Sequence, residues 1–290
     1  MTVDFKETVY KSTDRILDQG VHASTSLHRF VTLCIAGITE GMSASEFPRL
    51  RREIDKIKKL PDPFPTEEEF KEATERGKQL EEFAKVEVQN NFPFLLNLAS
   101  VNLWGIIEAT VDDLSSFLIT SWPECRESET VRRIRGPLIE FASASESDQS
   151  EYLLSELKRS VNASLKFGID RFESILSCVC LGGSVHELVK KLFFELSQIR
   201  NIVVHKAGEA DKRIVESCPW LGLQIGQDVK TDYPHFMAYM GAADWYFLEL
   251  QCRCCTLTSH PIDAQIVPLQ GKILKKISTD QMAEGNTNGA

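Results

Sequence analysis

The sequence predicts an all-α protein, a helical bundle with a few short non-helical segments. Three observations support this fold class. Apolar residues recur every three to four positions along most of the chain, strand patterns are sparse, and helix-capping signals stand where periodic stretches begin. With 290 residues, of which 42% are hydrophobic and 26% are charged, the chain is long enough to bury one large core or two modest cores.

Residues 1–91 are predicted to form an N-terminal helical region, and the sequence indicates no role for it. Its first elements are a helix over about residues 4–18, an apolar stretch at residues 27–38 and a basic segment at residues 49–59. The "LPDPFP" segment, residues 60–65, is a linker because its prolines fix φ and restrict the residues before them. Thr66 and Glu69 then form a capping box, which opens a charged helix that runs to about Asn90.

Residues 92–257 are predicted to form a helical domain around its most apolar helix. That helix has the sequence "FPFLLNLASVNLWGIIEATVDDLSSFLITSWP", is hydrophobic on most faces and ends at Pro123, so we expect it to be central. Glu108 lies among its apolar residues, where an unpaired carboxylate would be costly. The favoured interpretation is that Glu108 reaches solvent or an arginine; the alternative is a weak contribution to substrate binding.

The rest of the chain continues as helices joined by loops. Further helices are predicted over residues 150–166, 171–181, 184–206 and 233–256, after a charged surface excursion at residues 126–149. Residues 214–229 contain proline and glycine with short apolar runs, a pattern typical of turns with room for a short strand pair. Residues 258–290 form a C-terminal extension that is predicted to be disordered after about Lys276, because it has little apolar surface to bury.

Composition narrows the functional classes. No run of about 18 apolar residues and no signal peptide is recognisable, so we expect a cytoplasmic protein without a membrane partner. The eight cysteines lack paired spacing, and "CRCCTLTSH" at residues 252–260 does not match the Cys-x-x-Cys pattern of zinc sites, so neither a metal nor a cofactor is predicted. The net charge of −9 argues against non-specific coating of nucleic acid, but a local basic patch can still bind a phosphate.

The segment "QIRNIVVHKAGEAD", residues 198–211, ends a helix with two distinct faces. Ser184 and Glu187 form a capping box at its start, and Gly208 is expected at its C′ position. One side carries a core stripe made of Leu188, Leu192, Leu196, Ile199 and Val203. The other side carries Phe194, Asn201 and His205. An apolar residue on that side indicates a second buried face, where another subunit could pack.

The residue types on this helix suit one kind of chemistry. The guanidinium of Arg200 presents a planar fork of donors to phosphate oxygens, and a histidine such as His205 can accept and return a proton. If His205 deprotonates a ribose 2′-hydroxyl while Arg200 stabilises charge on the phosphorane, RNA is cleaved to a 2′,3′-cyclic phosphate and a 5′-hydroxyl without a metal. Asn201, one turn before His205, could orient the imidazole or donate to the phosphate.

These residues also carry a family resemblance. The "RNIVVHKAG" stretch, residues 200–208, resembles the signature of the HEPN superfamily, helical proteins with an arginine and a histidine separated by four to six residues. The resemblance spans roughly residues 92–257 and implies a metal-independent endoribonuclease of the larger, defence-associated type. It implies that Arg200 and His205 are catalytic and that Asn201 supports them. It further implies a homodimer with a composite site, and a toxin or antiviral effector controlled by a regulatory or antitoxin protein.

Other features have competing interpretations. Three lysines near the motif, Lys190, Lys191 and Lys206, are candidates for weak contacts with substrate phosphates, as are Lys212 and Arg213. The basic segment at residues 49–59 is interleaved with acids and is most simply a solvated face. Three histidines are interpreted as surface or capping residues, namely His28, His186 and His235.

Two functional classes therefore stay open. The first is an RNA-cleaving enzyme. The second is a non-catalytic helical dimerisation or binding module, in which Arg200 and His205 serve packing and hydrogen bonding. Arginine–histidine pairs also occur at Arg15 and His22 and at Arg253 and His260, but neither arginine is followed by asparagine. Position on a capped helix, with Asn201 beside the arginine, distinguishes the motif from these pairs.

Overall fold

The computed structural model describes residues 3–136 and 138–285, and within these ranges the chain is all-α, as predicted. The described residues contain no strand, and an isolated antiparallel bridge joins Glu209 to Asp228. The α-helices are α1 (Val3–Gly41), α2 (Phe47–Ile57), α3 (Glu67–Gln89), α4 (Pro93–Ser121), α5 (Pro123–Glu127), α6 (Glu129–Arg132), α7 (Leu138–Ser143), α8 (Glu146–Ser160), α9 (Ile169–Leu176), α10 (Glu187–His205), α11 (Lys212–Ser217), α12 (Tyr233–Thr258) and α13 (Ile266–Gly285).

The chain divides into two compact units, and each is built from separate stretches of sequence. The first unit comprises the described parts of Met1–Leu27, Asn97–Val229 and Pro234–Ala290, and the second comprises His28–Leu96 and Lys230–Tyr233. These units differ from the sequence-based ranges 1–91, 92–257 and 258–290. The first half of α1 belongs to the first unit because its side chains bond to α12 and to the loop after it. Gln251 donates to Asp14, and Lys6 donates to Ser259.

A row of aromatic rings runs through the core of the first unit. The ring of Trp104 on α4 lies 4.9 Å from that of Phe172 on α9, which lies 6.4 Å from Phe193 on α10. Phe193 in turn lies 5.3 Å from Tyr246 on α12. All four side chains are buried. The central position predicted for the apolar helix is therefore confirmed, since α4 contributes to this core.

Helix α1 is longer than predicted. The expected helix over residues 4–18 and the apolar stretch at 27–38 form one continuous helix, and Gly20 does not interrupt it. A Cβ atom at Gly20 would lie 2.5 Å from Oγ1 of Thr110, so glycine there permits close packing against α4. The predicted end of this helix, at about residue 18, was wrong. Gly20 serves packing against α4, which the local sequence pattern does not show.

The C-terminal extension is also more ordered than expected. Helix α13 covers residues predicted to be disordered after Lys276, because it has apolar contacts to make: Ile266 and Ile277 are buried. A Cβ atom at Gly241 would lie 3.1 Å from Cδ1 of Ile277, so α12 and α13 pack closely at this point. Residues 286–290 of the predicted tail lie outside the described residues.

The segment between α10 and α12 forms short helices instead of a strand pair. Asp211 caps α11 by accepting a hydrogen bond from the backbone N–H of Ile214, and a 3-10 turn, Pro219–Leu221, follows. The extended pairing is limited to the bridge already noted and to neighbouring bonds such as the one from Ala210 N–H to Gln227 O. The cap at Asp211 thus begins a short helix where the proline and glycine residues indicated turns and a short strand pair.

The second unit confirms two local predictions. Thr66 and Glu69 form a reciprocal capping box at the start of α3. The proline-rich residues 60–65 are non-helical. The guanidinium of Arg52 holds this linker, because it lies 4.1 Å from the ring of Phe70 and donates to the carbonyl of Phe64.

Among the described helices, α4 alone is long and apolar enough to cross a membrane. A core helix has the same composition, and nearly half of its most apolar window is buried inside the chain. Leu103, Ile107 and Val111 are fully buried, so packing within the protein already explains the hydrophobicity of α4.

Candidate active site at the end of helix α10

Helix α10 begins later than its sequence predicts. His186, not Ser184, is the N-cap residue, and its Nδ1 accepts a hydrogen bond from the backbone N–H of Leu188. The carbonyl of Ser184 instead accepts from the guanidinium of Arg253, which holds the preceding loop. The interpretation of His186 as a capping residue is confirmed, while the capping box at Ser184 and Glu187 was wrong.

The C-terminal end of α10 is fixed by the backbone that follows it. The helix ends at His205, and both Ala207 and Gly208 have positive φ values, 53° and 88°. The C-cap residue is Lys206, so Ala207 occupies the C′ position expected for Gly208. The carbonyl of Gly208 accepts from Val229 N–H, which ties the reversal to the bridge segment. The last turn of α10 is thereby held on the surface of the first unit.

The structure brings the three motif residues together. Nη1 of Arg200 lies 3.3 Å from Oδ1 of Asn201 and 3.4 Å from Nε2 of His205. Arg200 and Asn201 are half-buried, whereas His205 is exposed. Arginine can only donate, so Nε2 of His205 accepts this contact only when it carries no proton. In that state the neutral imidazole has its proton on Nδ1, and Nε2 has a lone pair.

Asn201 contacts the arginine and not the imidazole. Its Oδ1 accepts from the guanidinium, so the amide restrains Arg200 within the last two turns of the helix. The expected role of Asn201 in orienting His205 is therefore replaced, in this geometry, by a role in orienting Arg200. His205 is oriented by the arginine.

The second face of α10 is accessible within a single chain. Phe194 is half-buried, Val204 is 47% exposed and His205 is exposed, so the chain itself does not bury the face that was predicted to pack. A Cβ atom at Gly168 would lie 2.7 Å from Cα of Phe194, so the loop before α9 covers the middle of α10. The last turn, with the motif, lies beyond this covered part.

The candidate phosphate-binding lysines differ in their surroundings. Lys190 pairs with Glu187 at 2.7 Å, and Nζ of Lys191 lies 4.9 Å from the ring centre of Trp220. Both lie about ten residues before Arg200, which is about 15 Å along a helix. Lys206 is exposed next to His205. The structure therefore brings Lys206 close to the motif and leaves Lys190 and Lys191 in the first half of α10.

Two further basic residues predicted near the motif belong to α11. Lys212 pairs with Glu216 at 3.6 Å, and the guanidinium of Arg213 lies 4.0 Å from the ring centre of Phe167. The first contact is a surface ion pair, which contributes little to stability. The second is a cation–π contact.

Glu108 forms an ion pair with Arg171, and this confirms the interpretation that it reaches an arginine. The pair borders a cavity of about 760 Å³ whose charged lining includes Asp112, Asp113 and Lys158, with Arg171 itself. Burial raises the pKa of Asp112, which the ion pair with Lys158 at 2.5 Å partly offsets. The cavity was not predictable from the sequence, although the three acids of α4, Glu108, Asp112 and Asp113, follow one another closely there.

The remaining candidate residues have structural partners. Arg253 pairs with Glu173 at 2.8 Å, and His260 lies 2.8 Å from a carboxylate oxygen of Glu7. The described part of the chain contains no group of three or more histidine, cysteine or acidic side chains placed to hold a metal ion. All eight cysteines are free thiols, and burial raises the pKa of Cys254 to about 12. A thiol with so high a pKa is a poor nucleophile.

No family model, curated protein or solved structure matches this chain. The comparisons therefore neither support nor contradict the resemblance to the HEPN superfamily.

Proposed function

We propose that the protein is a metal-independent endoribonuclease that cleaves RNA by attack of a ribose 2′-hydroxyl. The observation that carries the proposal is the contact between Nη1 of Arg200 and Nε2 of His205 on the exposed last turn of α10. It places a permanent cation next to a group that can accept a proton. A phosphodiester beside a 2′-hydroxyl requires both of these functions.

The reaction needs one base, one acid and a charge stabiliser. His205 takes the proton of the 2′-hydroxyl, and the 2′-oxygen then attacks phosphorus. The bond between phosphorus and the 5′-oxygen breaks, and that oxygen receives a proton from water or from the motif of a second copy. The guanidinium of Arg200 donates to the non-bridging oxygens, where negative charge increases in the transition state. The products are a 2′,3′-cyclic phosphate and a 5′-hydroxyl.

The exposure of the motif supports a homodimer with a composite site. Val204 and His205 lie on the outer side of the last turn, and a second copy placed against them would bring two motifs to one cleft. Lys206, next to His205, would add positive charge for the phosphate backbone. We propose that the protein acts in the cytoplasm as a toxin or antiviral effector that a regulatory or antitoxin protein holds inactive.

The proposal is tested with end-labelled RNA in the presence of EDTA. We expect cleavage to cyclic phosphates by the native protein and none by His205→Ala or Arg200→Ala. The control is His22→Ala, because His22 is also an exposed histidine on a helix of the first unit and lies outside the motif. A substrate with a 2′-deoxyribose at the cleavage position should stay intact. Cleavage by His205→Ala, or of the deoxy substrate, would contradict this mechanism.

A second candidate function is a non-catalytic dimerisation or binding module. The exposed Val204 favours it, because an apolar side chain at a helix end stabilises a protein contact without any chemistry. In that case Arg200→Ala and His205→Ala would weaken assembly, and RNA would stay intact with every protein. Sedimentation of both variants beside the cleavage assay separates the two functions.

A further inference from the structure

Helix α2 in the second unit exposes its apolar side, while Arg52 is half-buried and Asp55 is buried. Phe47, Leu50, Ile54 and Ile57 recur at spacings of three and four residues, so they share one side of the helix and form what we call the α2 stripe. All four are exposed, by 47%, 43%, 45% and 81%. Asp55, next to Ile54 in sequence, is by contrast 4% exposed. An amphipathic helix normally buries its apolar side.

Specific bonds hold α2 in this orientation. Arg52 donates to Asp62, Glu67 and the carbonyl of Phe64, and it lies over the ring of Phe70. The carboxylate of Asp55 accepts from Arg51 at 2.7 Å. The Arg51–Asp55 pair lies within α2, so it is Arg52 that anchors α2 to the linker and to α3. The helix cannot rotate its apolar side inward without breaking the bonds of Arg52.

Helix α3 exposes a second apolar row. Leu80, Phe83 and Val86, which we call the α3 stripe, are exposed by 62%, 51% and 55%. Together, the two stripes expose on the order of 700 Å² of side-chain surface per copy, which is close to the roughly 800 Å² that each partner contributes to a standard protein interface. Patches larger than a few hundred Å² are rare on monomers and mark interaction sites.

The charges beside the two stripes are opposite in sign. Residues 47–59 carry six arginines and lysines against Glu53 and Asp55, whereas α3 carries eight glutamates against four basic residues. Three of the basic side chains, Lys56, Lys58 and Lys59, form no ion pair with any described residue. Five glutamates of α3 likewise form no ion pair with a described residue, and the exposed Glu72 and Glu82 are among them. The surface is therefore self-complementary.

We propose that the second unit is a homodimerisation surface, in which the α2 stripe of each copy packs on the α3 stripe of the other. A twofold axis makes the two contacts equivalent, so each copy contributes one basic and one acidic helix. Packing α2 on α2 would instead bring like charges together. This contact is separate from the composite site proposed at α10, since it uses none of the motif residues, and we expect it to supply most of the affinity of the dimer because it is the larger apolar surface.

The test compares two isoleucines with the same exposure. Ile57 in the α2 stripe and Ile139 on α7 are both 81% exposed, so Ile57→Glu and Ile139→Glu place the same charge on equally accessible surface. Sedimentation equilibrium over a concentration series should show a dimer for the native protein and for Ile139→Glu. It should show at least a tenfold higher dissociation constant for Ile57→Glu, and circular dichroism should show that this variant is folded.

Charge reversal tests the choice of partner helix. Lys56→Glu with Lys58→Glu should weaken the dimer, and adding Glu72→Lys with Glu82→Lys to the same chain should restore it. A native protein that is monomeric at every concentration would overturn the proposal, because the two stripes would then have to bind a different protein. A dimer that survives Ile57→Glu, or that Val204→Glu alone dissociates, would also overturn it and would assign the contact to α10. Cleavage of RNA is measured in a separate assay, so the failure of one proposal does not affect the test of the other.

Discussion

Nη1 of Arg200 lies 3.4 Å from Nε2 of His205, and both side chains come from the last two turns of one helix. Because both residues project from the same rigid segment, their separation does not depend on loops or on distant parts of the chain. The end of that helix is in turn tied down by the carbonyl of Gly208, which accepts from Val229. A cation and a proton acceptor are thereby positioned in advance of any ligand.

Arg200→Lys should retain the charge but lose activity. Lysine is a point charge without the planar fork that donates to two phosphate oxygens, and its shorter head group would leave Asn201 and His205 without their shared donor. We expect cleavage to fall by about a hundredfold, or about 2.7 kcal/mol of transition-state stabilisation, with unchanged thermal stability. Single-turnover cleavage of labelled RNA measures the loss. Full activity in the lysine variant would show that the fork is not used.

Glu108→Gln should alter stability and leave cleavage unchanged, because the carboxylate is already paired with Arg171. The pair is less than one-third exposed on both sides, so we expect a loss of about 1 to 2 kcal/mol in the free energy of unfolding. Urea denaturation of Glu108→Gln, Arg171→Met and the double variant should give non-additive losses. A cleavage defect in Glu108→Gln at full stability would instead assign Glu108 to the substrate.

Arg253→Met should destabilise the first unit strongly. The side chain of Arg253 is 9% exposed, and its guanidinium donates to both carboxylate oxygens of Glu173. It also donates to the carbonyls of Leu181 and Ser184, which methionine cannot do. Removing it leaves the half-buried carboxylate of Glu173 with only Tyr246 and Gly183 as donors, and we expect a loss of about 3 kcal/mol. The control is Arg159→Met, whose side chain is 74% exposed and should change stability by less than about 0.5 kcal/mol. Equal unfolding midpoints for the two variants would refute the role of this cluster.

The second unit should lose stability in acid through Glu81. Bonds from Lys85 and from the hydroxyl and backbone N–H of Ser45 lower the pKa of Glu81 to about 2. A carboxyl group whose pKa is lowered on folding stabilises the native state above its ordinary pKa, and that contribution is lost as the pH falls toward 2. Glu81→Gln should therefore be less stable than the native protein at pH 7 and should approach it near pH 2.

Glu151→Gln is the control for this prediction, because Glu151 is an exposed glutamate on a helix and forms no ion pair with a described residue. The free energy of unfolding of this variant at pH 7 should match that of the native protein. Parallel stability curves for Glu81→Gln and the native protein would show that the bonds to Ser45 do not contribute.

Much of the local structure was predictable because it depends on neighbours in sequence. The capping box of Thr66 and Glu69 uses groups three residues apart, and the non-helical linker follows from the fixed φ of its prolines. The motif was predictable for the same reason. Arg200, Asn201 and His205 share one helix, so their spacing alone brings their side chains into contact.

Long-range contacts account for what could not be predicted. The predicted helix ends at about residue 18 because nothing near Gly20 in sequence reveals Thr110, about 90 residues away, against which the glycine packs. Ser184 was the expected cap because the competing bond comes from Arg253, in another helix. The disorder predicted after Lys276 did not account for the contact of Ile277 with α12.

The sequence by itself determined the helical class, the apolar central helix and the pairing of an arginine with a histidine on one helix, because period and spacing are properties of neighbouring residues. Only the tertiary structure decided that Glu108 pairs with Arg171, and that Ile54 faces outward while Asp55 faces inward. The apolar spacing in α2 predicts which residues share a side of the helix. Which of the two sides is buried depends on the bonds that Arg52 forms with residues outside the helix.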